Sequence, residues 1–405
     1  MNERPALLFY CQHSLGMGHL VRSLALVAAL SERFRVVLLN GGPLPKQITV
    51  PAGVEVVNLP PVGLGSDGRL VSRDRRRTVE RACALRQRMI LDAYAAVRPR
   101  VVLIELFPFG RKKFTPELLP LLEAAHAEGP RRPLICCSLR DILVGKSAQQ
   151  QHDERAVALA NRYFDAVLVH ADPRFARLEE SLVTYSHLRT PVHYTGFVQA
   201  ASAVKGKQPT AARVRQVLVS AGGGLVGEPL LRAAVAAYSS LRQTHDVRMK
   251  IIAGPFLPED AWRRLHAAAQ GQRGLSVRRF VPDLSAEMRR SAASVSQCGY
   301  NTVLDILRAG TPALVVPFAD GSEDEQLKRA RRLERLGAVR VVEQHDLDAV
   351  RLANELRTLL DFKPQSLELD LGGARNTTRL GESLLHQQSI TVGARAIAAT
   401  REARL

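Results

Sequence analysis

Residues 294–326 read SVSQCGYNTVLDILRAGTPALVVPFADGSEDEQ. The pattern predicts a short apolar strand over 293–297, a tight turn at Gly299 and a helix opening at Asn301. After Gly310 a second strand is expected over 312–317, followed by an acidic loop. Such a turn sets backbone N–H groups at a helix N-terminus, where hydrogen bonding and the helix dipole both favour a phosphate. Asp305 falls one helical turn further on, so its carboxylate shares the face of the turn. A carboxylate there suits a ribose diol, as in dinucleotide-binding sheets.

Outward from this stretch the chain repeats one plan. In the second half a strand over 217–220 ends at Ser220 and feeds Ala221-Gly222-Gly223-Gly224, then a helix over 227–241. Strands near 248–253, 276–280 and 339–342 and helices over 259–269 and 348–360 follow, and the tail after Leu371 reads as helical. In the first half an apolar strand over 7–11, of the kind buried on both faces of a sheet, feeds Gln12-His13-Ser14-Leu15-Gly16-Met17-Gly18-His19 and a helix over 20–30. Strands near 36–40, 54–59, 101–105, 134–138, 166–170 and 192–195 alternate with helices over 78–97, 116–128 and 153–163. That alternation predicts an α/β protein with parallel sheets covered by helices. The expected division is an N-terminal Rossmann-like domain over 1–200, a small, polar and basic linker over 201–213, a second Rossmann-like domain over 214–375 and a helical tail over 376–405.

The string Gln297-Cys298-Gly299-Tyr300-Asn301-Thr302-Val303-Leu304-Asp305 resembles the His-Cys-Gly-Trp-Asn-Ser-x-x-Glu signature of nucleotide-sugar glycosyltransferases of the GT-B fold. It also resembles the matching segment of family 28, the peptidoglycan GlcNAc transferases. Ala309-Gly310-Thr311-Pro312 and Pro317 continue the match, and Glu325-Gln326 stands where those families carry an Asp/Glu-Gln pair. The resemblance implies two facing Rossmann-like domains with an interdomain cleft. It implies that Gln297, Cys298, Gly299, Asn301 and Thr302 lie along the donor diphosphate, Asp305 on its ribose, and Glu325 and Gln326 on sugar hydroxyls. Ser220 and Gly222 to Gly224 resemble the diphosphate-facing loop of the same domain, and Phe280-Val281 the segment whose backbone meets the nucleobase. Gln297 departs from the family by replacing a phosphate-contacting His, and the loop before Glu325 is longer.

Gly16-Met17-Gly18-His19-x-x-Arg22 resembles the N-terminal glycine-His loop of the same relatives. It implies that His19 is the base for an acceptor hydroxyl, a task that suits a side chain titrating near the working pH. Gly16, Gly18 and Arg22 accompany it on the acceptor side. At the carboxyl ends of strands, where such sheets bind ligands, stand Glu105, Asp141 and His170, three further acceptor-side candidates. Either Glu105 or Asp141 could orient His19. The implied reaction is transfer of a sugar, with inversion, from a nucleotide diphosphate donor, UDP-linked by resemblance. The donor is a substrate, and neither a cofactor nor a metal is expected. The glycine-His loop also resembles a UDP-sugar hydrolase of nonulosonic acid synthesis, in which the His would activate water. A non-catalytic sugar-nucleotide-binding protein is the third alternative, kept open by Gln297.

Composition bounds these readings. The chain has 405 residues, 46% apolar and 24% charged, as in soluble globular proteins. It starts without a signal-peptide pattern, and no apolar run approaches the roughly 20 residues of a membrane helix, so a cytoplasmic location is expected. Five cysteines, without C-x-x-C spacing, argue against a disulfide framework or a zinc site. The net charge is +18, yet its arginines are scattered and no aromatic-plus-basic string suggests nucleic acid. The basic balance is compatible with an anionic or lipid-linked acceptor and with peripheral membrane contact.

Overall fold

The structure, a computed structural model, describes residues 4–13, 18–45, 48–65, 68–145, 148–199, 214–319 and 324–402, the last eleven of these for their backbone only. The linker expected over 201–213 therefore lies outside the described residues, as does Gly16. In the first domain the strands are β1 (Ala6–Cys11), β2 (Arg35–Asn40), β3 (Glu55–Asn58), a hairpin of β4 (Val62–Leu64) and β5 (Leu70–Ser72), β6 (Val101–Glu105), β7 (Leu134–Arg140), β8 (Ala166–His170) and β9 (Val192–Tyr194). Its helices are α1 (Gly18–Leu30), α2 (Val79–Val97), α3 (Thr115–Ala127) and α4 (Gln149–Tyr163). The second domain holds β10 (Val214–Ser220), β11 (Arg248–Ile252), β12 (Leu275–Arg278), β13 (Ser291–Ser296), β14 (Ala313–Val315) and β15 (Arg340–Val341). Between them run α5 (Glu228–Thr244), α6 (Glu259–Ala269), α7 (Leu284–Arg290), α8 (Tyr300–Ala309), α9 (Glu325–Arg335) and α10 (Ala349–Leu359), before α11 (Gly373–Glu402).

Two sheets carry the molecule, with strand orders β3-β2-β1-β6-β7-β8-β9 and β12-β11-β10-β13-β14-β15. All their pairings are parallel, β1 lying between β2 and β6 and β10 between β11 and β13. Every residue of β1, β6 and β8 is buried, which is why these segments read as continuous apolar runs rather than alternating ones. In each sheet the order reverses beside the first strand, and the crevice at that switch point is where doubly wound sheets bind ligands. The start of α1 and the loops leaving β6, β10 and β13 meet there.

Three apolar clusters fill the layers. Leu20, Val27 and Leu30 of α1 pack on Leu7, Phe9 and Val36, with Leu380, Leu384 and Leu385 of α11 closing over them. The second domain encloses Val217, Val219, Leu231 and Ile251. The third cluster crosses between the domains: Tyr300, Val303 and Leu304 of α8 join Phe175 and Phe197 of the first domain. The Phe197 ring lies 5.5 Å from Phe175 and 5.7 Å from Tyr300. After the second domain the chain returns to the first. Phe197 N–H donates to the Asp370 carbonyl at 2.7 Å, Asn376 Nδ2 donates to the Thr195 carbonyl at 2.9 Å, and α11 lies along α1. Among the described residues no helix is long and apolar enough to cross a membrane.

Candidate active site

A cleft of about 1080 Å³ opens between the carboxyl ends of the two sheets. On its first-domain wall, α1 begins at Gly18 and carries His19 in its first turn. His19 Nδ1 lies 2.6 Å from Glu105 Oε1. Glu105 is the last residue of β6 and is fully buried. Arg22, one turn along α1, donates to the same Oε1, and Arg111 Nη2 stands 3.7 Å from Oε2. Burial alone would raise the Glu105 carboxyl, but His19, Arg22 and Arg111 outweigh it and hold it below the usual carboxylate range. An ionised carboxylate only accepts, so Nδ1 carries the imidazole proton and Nε2 keeps the lone pair. Burial lowers the His19 pKa; Glu105 opposes the shift, while Arg111 and Arg140 reinforce it. His19 is thus a neutral, tautomer-fixed imidazole, its side chain 16% exposed, able to take up a proton at Nε2.

The second-domain wall is built from backbone. The loop after β10 turns through Gly222 at φ +58° and Gly224 at φ +90°. A Cβ on Gly224 would come within 2.5 Å of the Ala253 carbonyl oxygen. Gly224→Ala is therefore expected to destabilise the domain by about 1–3 kcal/mol, the range for a non-glycine residue forced into such backbone, as a lower urea midpoint with weaker nucleotide affinity. Across from this loop, α8 begins after Gly299 with no side-chain cap. The N–H groups of its first turn are thus left to whatever enters the cleft. Thr302 Oγ1 sits between the two loops, 3.7 and 3.9 Å from where Cβ atoms of Gly222 and Gly299 would lie.

Asp305 lines the same cleft one turn along α8. Burial, then the charge of Asp283, raises its pKa from 3.8 to about 7, with Arg308 opposing. Because the folded state prefers the neutral acid, this group's contribution to stability declines as pH climbs from about 4 to 7. Asp305→Asn should remove that loss and leave a protein more stable than wild type at pH 8 by about 1–2 kcal/mol, a shift-derived figure cut to less than half for partial exposure. The gain should be smaller at pH 5, and paired urea titrations at the two pH values read the difference. A diol donating to the carboxylate favours its ionised form, so affinity for a ribose should rise through the same pH interval.

The remaining expected residues fall into two groups. Gly18, Arg22, Ser220, Gly222, Gly223, Gly224, Phe280, Val281, Gln297, Gly299, Asn301, Thr302, Glu325 and Gln326 line the cleft with His19 and Asp305. Within it Gln297 Nε2 donates to the Val226 carbonyl at 3.3 Å, binding the glycine loop to β13. Gln326 Oε1 accepts from Cys298 N at 3.0 Å and Phe318 N at 3.2 Å, so its oxygen is occupied by backbone. Glu325 opens α9, and its Oε2 lies 2.5 Å from Arg140 Nη2.

Glu105, Asp141, His170 and Cys298 stand behind the cleft wall, and for the first three this corrects the acceptor-side expectation. Glu105 serves His19 from beneath. Asp141, expected as an alternative to it, instead holds Arg329 of α9, with Nε–Oδ2 at 2.7 Å and Nη2–Oδ1 at 2.9 Å, both residues being buried. His170 bonds Ser138 Oγ and Thr195 Oγ1, each at 2.8 Å, and burial lowers its pKa to about 3. A strand-end position does not tell which side of the sheet layer a polar side chain enters, and these three turn inward. Cys298 is buried as well, and burial raises its thiol pKa to about 12.

Ties across the cleft were not foreseen. Arg329 Nη1 donates to the Cys298 carbonyl at 2.9 Å, so one guanidinium joins the α8 turn to the first domain. Tyr300 Oη donates to the His170 carbonyl and accepts from Val198 N, both at 2.9 Å. Asn301 Nδ2 donates to the Gly18 carbonyl at 3.2 Å. Among the described residues no group of three or more His, Cys, Asp or Glu is placed to hold a metal ion.

This architecture is shared by solved structures. The chain superposes on the calicheamicin glycosyltransferase CalG4 with a TM-score of 0.57 at 16% identity, covering 99% of this chain and 98% of that one. For MurG of Acinetobacter baumannii the TM-score is 0.56 at 16% identity, over 95% and 99% of the two chains. For a UDP-glucosyltransferase from Polygonum tinctorium it is 0.60 at 15% identity, over 96% and 100%. At these identities the likeness establishes the fold, and residues 217–379 match the glycosyltransferase family 28 C-terminal domain. The chain has the GT-B fold, and the family 28 match lies over its second domain. Among sequence relatives of the GT-B protein, an Acidithiobacillus ferrooxidans enzyme is 34% identical over 94 residues, 23% of this chain and 26% of that enzyme. One from Chromohalobacter salexigens is 28% identical over 274 residues, 66% of this chain and 70% of that enzyme. Both are UDP-N-acetylglucosamine–N-acetylmuramyl-(pentapeptide) pyrophosphoryl-undecaprenol N-acetylglucosamine transferases. The first match spans about a quarter of the relative's length.

Proposed function

We propose that the protein transfers a sugar from a nucleotide diphosphate sugar, UDP-linked as in its relatives, to a hydroxyl of an acceptor bound against the first domain. The observation that carries this reading is the placement of His19, fixed by Glu105, opposite the uncapped N-terminus of α8 and the Gly222–Gly224 turn across one cleft. The acceptor oxygen forms a bond to the anomeric carbon as that carbon's bond to the diphosphate oxygen breaks. His19 Nε2 takes the hydroxyl proton, and the nucleoside diphosphate leaves with the electron pair. Attack from the side opposite the leaving group inverts the anomeric centre. Backbone N–H groups of Gly222–Gly224 and the first turn of α8, with Thr302, stabilise the charge that develops on the diphosphate. Asp305 receives the ribose hydroxyls, and the backbone of Phe280 and Val281 meets the base. The apolar surface of Val21, Leu24 and Ala25 on the cleft side of α1 would cover a non-polar part of the acceptor, in keeping with the lipid-linked acceptor named for the relatives.

Nucleotide release from UDP-, GDP- and dTDP-sugars, with and without candidate acceptors, tests the reading. Release that needs an acceptor supports transfer. Rapid release yielding free sugar without one would show that water is the acceptor and that the protein is a hydrolase. Donor binding with no release under any condition would leave a sugar-nucleotide-binding protein.

A further inference from the structure

The first-domain wall of the cleft carries more buried positive charge than the residues around it neutralise. Three guanidiniums, those of Arg22, Arg111 and Arg140, face two carboxylates, those of Glu105 and Glu325. His19 is neutral beside them, and the neighbouring Arg329 and Asp141 satisfy each other. Arg22 takes Glu105, and Arg140 takes Glu325. Among the described residues that leaves Arg111 sharing Glu105 with Arg22. Its Nη2 is 3.7 Å from Glu105 Oε2, beyond hydrogen-bond reach. Among the described residues its Nε and Nη2 are buried without a hydrogen-bond partner, as are Arg140 Nε and the nearby Glu105 Oε2 and Glu325 Oε2. Both side chains are 13% exposed and line the cleft. Buried guanidinium N–H groups left unpaired are unfavourable, and a bound oxyanion would satisfy them.

The backbone supports the same conclusion. Arg111 adopts φ +58° and Leu106, at the other end of the loop leaving β6, φ +66°. Left-handed backbone at non-glycine residues is retained where the surroundings enforce it, commonly at ligand sites. Here it brings the Arg111 guanidinium into the cleft wall, 3.7 Å from the Glu105 carboxylate that holds His19.

We infer that Arg111 and Arg140 form a receptor for an anionic group of the acceptor, a phosphate or a carboxylate carried close to the hydroxyl that His19 deprotonates. The inference rests on the proposed transfer reaction and narrows its acceptor to acidic alcohols. Arg140 pairs with Glu325, an expected donor-side residue, whereas the nearest ion-pair partner of Arg111 is Glu105, so variants at Arg111 let the two readings fail separately.

The test is a calorimetric titration of inorganic phosphate, and separately acetate, into protein saturated with UDP at constant ionic strength. UDP occupies the diphosphate loops and leaves the arginine pair open. Wild type should bind phosphate or acetate saturably. Arg111→Met should weaken that binding about tenfold or more, the loss expected for charge-assisted hydrogen bonds, with UDP affinity unchanged. Arg111→Lys, which keeps the charge and alters the fork, should fall between and serves if the Met variant does not fold. Preference for phosphate marks a phosphorylated acceptor; preference for acetate marks a carboxylic one. Absence of anion binding in wild type, or equal binding in wild type and Arg111→Met, overturns the inference, and intact UDP affinity then leaves the donor reading standing. If UDP does not bind, the donor reading fails, and the same wild-type-to-variant comparison without UDP still decides the arginine site.

Discussion

His19→Ala should lower sugar transfer by about 10²–10⁴-fold, the usual contribution of a positioned general base, while UDP affinity measured by calorimetry stays within twofold of wild type. The expectation follows from geometry. Nδ1 is committed to Glu105 at 2.6 Å, so Nε2 is the basic atom of a ring that lines the cleft. Glu105→Gln is the sharper companion. A neutral amide can donate to Nδ1 as readily as accept from it, so the tautomer is no longer fixed, and a buried negative charge is removed from beside Arg22 and Arg111. Turnover should fall with little change in UDP affinity. Because His19 is held below its ordinary pKa, wild-type turnover at saturating donor should show no loss from His19 protonation between pH 6 and 8. An acid limb with a midpoint near 6.5 would contradict the buried, neutral imidazole. Unchanged transfer by His19→Ala would remove the base from the proposed mechanism altogether.

Arg329→Met should lower stability by about 3–5 kcal/mol, the loss typical of removing one partner from a buried ion pair. Asp141 would be left ionised and unpaired in a fully buried position, and the Cys298 carbonyl would lose its donor. The double variant Arg329→Met/Asp141→Leu should recover most of this loss, because apolar residues of similar volume replace buried ion pairs at little cost. A remainder of about 1–3 kcal/mol is expected from the unsatisfied carbonyl. Urea unfolding of the four proteins closes the cycle. Equal midpoints in all four would mean that the pair is solvated and holds nothing. The same cycle read by UDP affinity asks whether joining the α8 turn to the first domain shapes the donor site: if it does, the double variant regains stability without regaining affinity.

Much of this architecture could be read from the chain because parallel sheets impose a simple pattern. Buried strand segments such as Ala6–Cys11 and Val101–Ile104 are unbroken apolar runs, and the glycines between strand and helix mark where backbone must turn sharply. The Gly299 turn and the helix carrying Asp305 were legible for that reason. Helix α9 was not, since EQLKRARRLER is so polar that it reads as a solvated segment; only Arg329, Ala330 and Leu333 are buried. Nor were the partners of strand-end residues. Glu105 meets His19 across 86 positions and Asp141 meets Arg329 across 188, and neither pairing leaves a local trace. Sequence placed Glu105, Asp141 and His170 at the correct ends of their strands without telling that all three face inward.

The return of the chain onto its first domain has a mechanical consequence. The polypeptide passes between the two domains twice, once after Gln199 and again before Gly373, where α11 takes up its place along α1. One tether would let the domains swivel like a pendulum; two separate tethers act as a pair of door hinges. Any relative motion has to carry both crossings together with the Tyr300, Asn301 and Arg329 ties between the domains, which opposes sliding one sideways past the other.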